Sequence, residues 1–86
     1  MKIYKYNGKC NASGENIRQM REQMKLSQER LAARLQLKGL PLNQKAISRI
    51  ETGDRVVADF ELVLLAQALN VGINDLLVGA WPEEKK

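Results

Sequence analysis

The sequence predicts an all-α chain that folds as a compact bundle of five helices. Its 86 residues allow one small domain rather than two. Because the sequence holds one Phe and one Trp, the core must be mainly aliphatic, and aliphatic residues recur at helical spacing. Residues that cap helices precede these apolar segments, and glycine or asparagine follows several of them. We therefore divide the chain into an N-terminal arm at 1–13, the bundle at 14–79 and a tail at 80–86.

The N-terminal arm shows no helical period, and we expect it to be loosely ordered. Tyr6 beside Asn7-Gly8 leaves open a short extended stretch or a turn. Three lysines in the arm also leave open a contact with phosphate groups. Cys10 is the single cysteine and cannot form an internal disulfide, so we expect an inert thiol in a reducing cytosol.

The first predicted helix runs from about Glu15 to Met24. Ser13 is a suitable cap, and the carboxylate of Glu15 suits the positive end of the helix dipole. Ile17, Met20 and Met24 fall on one face, at the spacing i, i+3 and i+7. We assign this face to the core.

The second predicted helix begins after Ser27, whose hydroxyl can accept a hydrogen bond from a free amide of the first turn. Gly39 is a natural stop, and Pro41 disfavours helical geometry at the residue before it. The inward-facing residues are Leu31, Ala32 and Leu35, with either Leu37 or Leu40 continuing the stripe.

The third predicted helix extends from about Gln44 to Glu51, with Asn43 as its cap and Gly53 as its end. Its inward-facing residues are Ala46, Ile47 and Ile50. Its outward-facing residues are Gln44, Lys45, Ser48 and Arg49. Long side chains with hydrogen-bond donors could reach base edges of DNA from this outer face, and two helices in this order are typical of a helix-turn-helix.

The fourth predicted helix runs from Phe60 to about Leu69, with Asp59 as its cap and Asn70 as a suitable left-handed end residue. Its inward-facing residues are Leu62, Leu65, Ala66 and Leu69. A short fifth helix is predicted over Ile73 to Val78, with Gly72 and Asp75 at its start and Leu76 and Leu77 as apolar residues.

Basic residues are concentrated in the first two thirds of the chain. Residues 1–58 hold 12 Lys+Arg against 5 Asp+Glu, and residues 59–86 hold 2 against 5, within a net charge of +4. This division suits a protein that meets a polyanion with one side, although charge distributed by chance over a solvated surface explains it about equally well.

Several classes of function are disfavoured by what the sequence lacks. With no histidine and one cysteine, the commonest general base and the commonest metal ligand are missing, so we expect neither an enzyme nor a metal or other cofactor. No apolar run approaches the ~20 residues that cross a bilayer, and residues 1–14 lack the apolar core of a signal peptide. We therefore expect a cytoplasmic protein without membrane contact, and infer no small-molecule substrate.

Three motifs occur in order between Met20 and Leu77. They are Leu26-Ser-Gln-x-x-Leu-Ala, Ile47-Ser-x-Ile-Glu-x-Gly and Leu65-Ala-x-Ala-Leu-x-Val-x-x-x-x-Leu-Leu. Together they resemble the Xre-type family of phage-repressor and Cro-like helix-turn-helix domains. The resemblance implies the five-helix, lambda-repressor-like fold and binding of double-stranded operator DNA as a two-fold homodimer.

The resemblance also implies roles for individual residues. Positions that usually face bases are held by Gln44, Lys45, Ser48 and Arg49. Candidates for phosphate contacts are Gln28, Asn43 and Arg55. A structural ion pair is expected between Arg21 and Glu51. Candidates for a dimer contact are Leu76, Leu77 and Trp81.

For several of these residues a simpler structural role stays open. Gln28 could merely cap its helix, as could Gln44. Arg49 could form an ion pair within its own helix, and Arg21 and Glu51 could be exposed and nearly neutral to mutation.

One region departs from the resembled family. Leu31 and Ile47 are 16 residues apart, about five more than in familiar members, and the extra residues fall within Leu37 to Leu42. We expect the second helix to be about a turn longer and to be followed by a looser connector.

The sequence thus favours a DNA-binding transcriptional regulator, expected to be a repressor that reads the major groove with its third helix. The alternative is a protein-interaction module, antitoxin-like or an adaptor, that uses the fifth helix and Trp81 as its main contact. Exposure of Gln44, Lys45 and Arg49 on a positive surface would favour DNA binding. If these residues are covered, or neutralised by Glu51 and Asp54, the adaptor is favoured.

Overall fold

Five helices account for most of residues 4–79, the part of the chain that the computed structural model describes. They are α1 (Gly14–Gln23), α2 (Gln28–Leu37), α3 (Gln44–Thr52), α4 (Asp59–Ala68) and α5 (Ile73–Leu77). Within that part the only extended pairing is an isolated bridge between Tyr6 and Lys9. The all-α prediction is confirmed, and each predicted helix is present with ends that differ by about one residue.

The core lies where the five helices meet, and it is aliphatic as the composition predicted. α3 packs against α1 and α2, α4 packs against α2 and α5, and α5 closes the bundle against α1. The largest fully buried side chains are Ile17, Leu31, Leu35, Ile47, Ile50, Leu65, Leu69 and Leu76. Among the helices described, none is long and apolar enough to span a bilayer.

The helices that form the helix-turn-helix, α2 and α3, both begin at side-chain caps. Ser27 Oγ accepts from the amide of Arg30 at 3.0 Å, and Asn43 Oδ1 accepts from the amide of Ala46 at 2.8 Å. α3 ends at Gly53, which has a left-handed φ of 86°. These three predictions from the sequence are confirmed.

Ser13 occupies the predicted N-cap position of α1 but does not cap it with its side chain, and the cap predicted for α4 is wrong. The Ser13 side chain forms no capping bond; the side-chain oxygen of Asn11 accepts from the amide of Gly14 instead. Asp59 is the first residue of α4 rather than its cap, and the Glu61 carboxylate reaches back to the amide of Ala58. In both places a neighbouring side chain satisfies a free amide at the helix start.

The connector between α2 and α3 is packed, not loose as predicted. Leu40 donates its amide to the carbonyl of Leu35, and the side chains of Leu40 and Leu42 are buried. Leu40 therefore continues the apolar stripe, whereas Leu37 is 90% exposed. Burial of two leucines on either side of Pro41 holds the segment against the bundle.

The segment before α1 is also more tied down than the predicted loosely ordered arm. Tyr6 and Lys9 exchange two backbone hydrogen bonds across a turn in which Asn7 and Gly8 both have positive φ. The amide of Cys10 donates to the carbonyl of Gly53 at 2.8 Å. The turn is one of the alternatives that the sequence left open, whereas the bond from Cys10 joins residues far apart in sequence, which a local pattern does not reveal.

Candidate nucleic-acid interface

The outward side of α3 presents the four residues that the sequence predicted to face bases. We call Gln44, Lys45, Ser48 and Arg49 the reading face. Three of them are exposed and Ser48 is half-buried. The opposite side of the helix carries Ile47, Ile50 and Glu51, all of which are buried. A helix with 3.6 residues per turn separates these two groups because their positions fall on opposite sides of its axis.

The two cations of the reading face are not neutralised by the rest of the described chain. Between residues 4 and 79, the side chains of Lys45 and Arg49 form no ion pair or hydrogen bond. The carboxylate of Asp54 accepts from Thr52 Oγ1 at 2.9 Å rather than from Arg49. Glu51 points inward. The reading face is thus open and positively charged.

Glu51 forms a buried ion pair with Arg21 that ties α3 to α1. Arg21 Nε lies 2.6 Å from Glu51 Oε2, and Arg21 Nη2 lies 3.0 Å from Oε1. Their side chains are 12% and 3% exposed. The hydrogen bond to Glu51 raises the pKa of Arg21 above its ordinary value. Arg21 Nη1 also donates to the carbonyl of Leu26 at 2.7 Å, which fixes the chain just before α2.

A chain of hydrogen bonds leads from this ion pair to the reading face. Gln28 Nε2 donates to Glu51 Oε1 at 3.0 Å, and Gln44 Nε2 donates to Gln28 Oε1. A guanidinium only donates and a carboxylate only accepts. Gln28 must therefore give its amide nitrogen to Glu51 and its oxygen to Gln44. As a result, Gln44 keeps its own oxygen and one N–H free.

The candidates for phosphate contacts are placed differently from one another. Asn43 uses its oxygen as the α3 cap, and its side chain is otherwise exposed. The guanidinium of Arg55 is engaged, because Nη1 lies 2.9 Å from Glu61 Oε1 and Nη2 lies 3.1 Å from Oε2. Arg55 Nη1 also donates to the carbonyl of Val56 at 2.8 Å. The structure therefore gives Arg55 a partner that the sequence prediction did not include.

Glu61 was missed as a structural residue, although a signal existed. It is buried, and the hydrogen bond from Arg55 lowers the pKa of its carboxyl below the ordinary value. A Glu three residues after the N-cap residue can accept from the amide of that residue, and Glu61 has this spacing from Ala58, but Ala58 lacks the hydroxyl of the full Ser/Thr-x-x-Glu signature.

The predicted dimer candidates are not equivalent. Leu76 is fully buried in the core of its own chain. Its predicted role in a dimer contact is therefore corrected to a role in the core. Leu77 is 40% exposed, and Trp81 lies outside the described residues. Two residues of α4 also expose apolar surface: Phe60, which is 60% exposed, and the partly exposed Val63 three residues later.

Asn11 is the second residue that sequence reasoning missed. Besides capping α1, its Nδ2 donates to the carbonyls of Ile50 at 3.0 Å and Arg55 at 2.7 Å. These partners lie 39 and 44 residues away along the chain. The local signal was limited to an Asn three residues before Gly14.

Together, the fold and the reading face define a helix-turn-helix domain, and comparison with known families agrees. The family model described as Helix-turn-helix matches residues 17–76, more than two thirds of the chain. The chain belongs to this Cro/C1-type, Xre-like family, which is a DNA-binding regulatory family and not typically an enzymatic one. Searches among curated proteins and solved structures found no match. Among residues 4–79 there is no group of three or more side chains suited to hold a metal ion.

Proposed function

We propose that this protein is a sequence-specific transcriptional regulator whose α3 reads operator DNA in the major groove. The observation that carries the proposal is the contrast within α3. Lys45 and Arg49 are exposed without a partner in the described chain, while Glu51 on the inner side is held by Arg21 and Gln28. A helix fixed on one side and open on the other can enter a groove without first breaking internal contacts.

The chemistry of the reading face supports particular base contacts. Arg49 carries a free guanidinium, which can give two parallel hydrogen bonds to O6 and N7 of guanine. Gln44 keeps an oxygen and one N–H after donating to Gln28. That pair matches the N6 donor and N7 acceptor of adenine. We therefore propose that Gln44 reads adenine and Arg49 reads guanine, with Lys45 and Ser48 as further base contacts.

Backbone contacts would position the domain on the duplex. Gln28 and Asn43 each retain a side-chain N–H after their internal bonds, and both lie at helix starts where backbone amides favour anions. Arg55 is instead held by Glu61. Its bonds favour a role in fixing the loop after α3 over a phosphate contact.

We further propose that the protein acts as a homodimer and represses by occupying its operator. Two copies related by a two-fold axis would place their reading faces about 34 Å apart, one turn of DNA. The partly exposed Leu77, together with Phe60 and Val63 on α4, offers apolar surface for such a contact.

The adaptor alternative has less support. It would require the reading face to be covered or neutralised, whereas Asp54 bonds to Thr52 and Glu51 is turned into the bundle. Trp81, its proposed main contact, lies outside the described residues.

Selection of binding sites from a random oligonucleotide pool at two salt concentrations tests DNA reading. We expect a near-palindromic site, with log–log affinity falling by about 0.9 for each phosphate contact as salt rises. Recovery of no motif, together with affinity that is insensitive to salt, would end the proposal.

Sedimentation equilibrium with two leucine variants tests the homodimer. Leu77→Asp should shift the protein toward monomer. The matched control, Leu37→Asp, changes a leucine that is 90% exposed at the far end of α2 and should leave the association unchanged. Equal behaviour of the two variants would remove Leu77 from the dimer contact.

A further inference from the structure

We propose that residues 9–13 form part of the DNA-reading unit and that Asn11 is a positioning residue for α3. We call this segment the N-terminal strap. The inference rests on the proposed function, because it concerns how α3 is held while it reads bases. The strap lies before residues 17–76, the range that the family model matches, so the family assignment does not account for it.

Asn11 joins three parts of the molecule through one side chain. Its oxygen accepts from the amide of Gly14 at 2.8 Å, at the start of α1. Its nitrogen donates to the carbonyl of Ile50 in the last turn of α3 and to the carbonyl of Arg55 in the following loop. The first amides of a helix lack partners within the helix, and Asn11 supplies one for Gly14; at the end of α3 it adds a second donor to the carbonyl of Ile50, which also accepts from the amide of Gly53.

Neighbouring residues of the strap hold the same end of α3. The amide of Cys10 donates to the carbonyl of Gly53 at 2.8 Å. The aliphatic part of Lys9 packs against Gly53 so closely that a β-carbon there would collide with it. Residues 9–11 therefore hold the end of α3 and its following loop at three residues: Ile50, Gly53 and Arg55.

The two ends of α3 are thus held by different devices. Its first turn is tied through Gln44 to Gln28, and its last turn is tied through Ile50 to Asn11 as well as through Glu51 to Arg21. Without the Asn11 contacts, α3 keeps its apolar contacts and the Glu51–Arg21 pair, but the carbonyls of Ile50 and Arg55 lose their attachment to the strap. Arg49, the residue before Ile50, is the member of the reading face nearest in sequence to this attachment.

Specific and non-specific DNA binding differ in how much they depend on such alignment. Paired hydrogen bonds to a base edge require correct direction, and they weaken steeply when the angle is poor. Attraction to phosphates is long-ranged and tolerates small displacements. A loss of the Asn11 contacts should therefore reduce specific affinity and leave non-specific affinity nearly unchanged.

Asn11→Asp tests this with a matched control in the same segment. The aspartate keeps the oxygen that caps α1 but loses the N–H groups that reach Ile50 and Arg55. Asn7→Asp introduces the same charge at an exposed turn position, where the side chain has no bond within the described residues and Asp is also accommodated. Full-length wild type and both variants are titrated with the selected site and with unrelated duplex DNA. The temperature is one at which circular dichroism shows all three proteins folded.

We expect Asn11→Asp to lose about tenfold more affinity for the selected site than Asn7→Asp, while the two variants bind unrelated DNA alike. A purely structural role predicts a lower melting temperature with the same ratio of specific to non-specific affinity in both variants. That result would overturn the inference and leave the proposed function standing. If wild type selects no site, the proposed function fails and the inference falls with it.

If Asn11→Asp does not fold, Asn11→Ser provides the same test without added charge. Its hydroxyl can accept from Gly14 but is too short to reach both carbonyls. The expected tenfold loss and the overturning result are unchanged.

Discussion

The inner and outer sides of α3 differ in how far their side chains are buried and in how their charged groups are paired. On the inner side Ile47 and Ile50 are fully buried, and the carboxylate of Glu51 accepts hydrogen bonds from Arg21 and Gln28. On the outer side Lys45 and Arg49 are exposed, with no side-chain partner between residues 4 and 79. One short helix therefore carries the contacts that hold the bundle and the groups proposed to contact DNA.

This difference separates stability from recognition. Removing the Glu51 carboxylate leaves its buried partners unsatisfied, so the effect should appear in the free energy of unfolding. Removing the side chain of Lys45 or Arg49 breaks no internal bond within the described residues, so its effect should appear in DNA binding. Substitutions on the two sides test whether this separation holds.

The largest effect is expected for Glu51→Ala. It leaves Arg21 unpaired in a site where its side chain is 12% exposed, so the free energy of unfolding should fall by about 3–5 kcal/mol. Urea denaturation measures this change. Glu22→Ala, which breaks an exposed pair with Arg18, is the control and should change stability by less than about 1 kcal/mol. Equal losses of stability in the two variants would mean that the buried Arg21–Glu51 pair contributes no more than the exposed Arg18–Glu22 pair.

A smaller loss of stability is expected on acidification. The loop after α3 is held by the ion pair between Arg55 and Glu61, and protonation of Glu61 breaks this pair. The folded pKa of Glu61 is lowered from its ordinary value of 4.5. Its stabilising contribution is therefore present above that value and is lost as pH falls through the lowered pKa. Arg55 is 29% exposed and can be hydrated once the pair is broken, which limits the loss.

Urea denaturation from pH 6 down to about pH 3 measures this contribution, with Glu61→Gln as the comparison. The acid-induced loss should be smaller in Glu61→Gln than in wild type. Identical pH profiles would exclude the ion pair as a source of acid sensitivity.

On the outer side, Arg49→Ala should reduce discrimination at one base of each half-site by about 1–3 kcal/mol. Its free energy of unfolding should stay within about 0.5 kcal/mol of wild type. Affinity for single-base variants of the selected site measures the first quantity. Arg18→Ala removes the same charge from α1 and should leave base preference unchanged. A large loss of stability in Arg49→Ala would contradict the separation of the two sides.

The smallest effect concerns two serines. Ser27→Ala removes the α2 cap and should lower stability by about 1 kcal/mol, measured by urea denaturation. Ser48→Ala changes a half-buried position on the reading face where no side-chain hydrogen bond occurs within the described chain, and it should stay within about 0.5 kcal/mol of wild type. The reverse order would show that Ser48, not Ser27, has the structural role.

Features with a local cause could be predicted from the sequence. The spacing of aliphatic residues indicated all five helices, and Ser27, Asn43 and Gly53 marked the ends of α2 and α3. The resemblance to a known family supplied the Arg21–Glu51 pair, which a local pattern does not contain. Prediction was weakest in α5, where five residues include adjacent leucines and the sequence does not distinguish the buried Leu76 from the partly exposed Leu77.

Contacts between distant segments could not be predicted. Asn11 meets the carbonyls of Ile50 and Arg55 only because α1 and α3 cross near their ends. The engagement of Arg55 by Glu61 similarly depends on how the loop turns into α4. In both cases the partner of the side chain is brought into place by the packing of the whole bundle.

Gly14 has a practical consequence for redesigning the protein. A β-carbon at this position would overlap the carbonyl oxygen of Ile50, so α1 and α3 approach each other more closely than any other residue type permits. A combinatorial library aimed at new DNA targets should therefore keep glycine at 14 constant. Diversity can then be concentrated on the reading face, above all at Lys45 and Arg49, which are exposed and have no side-chain partner within the described residues.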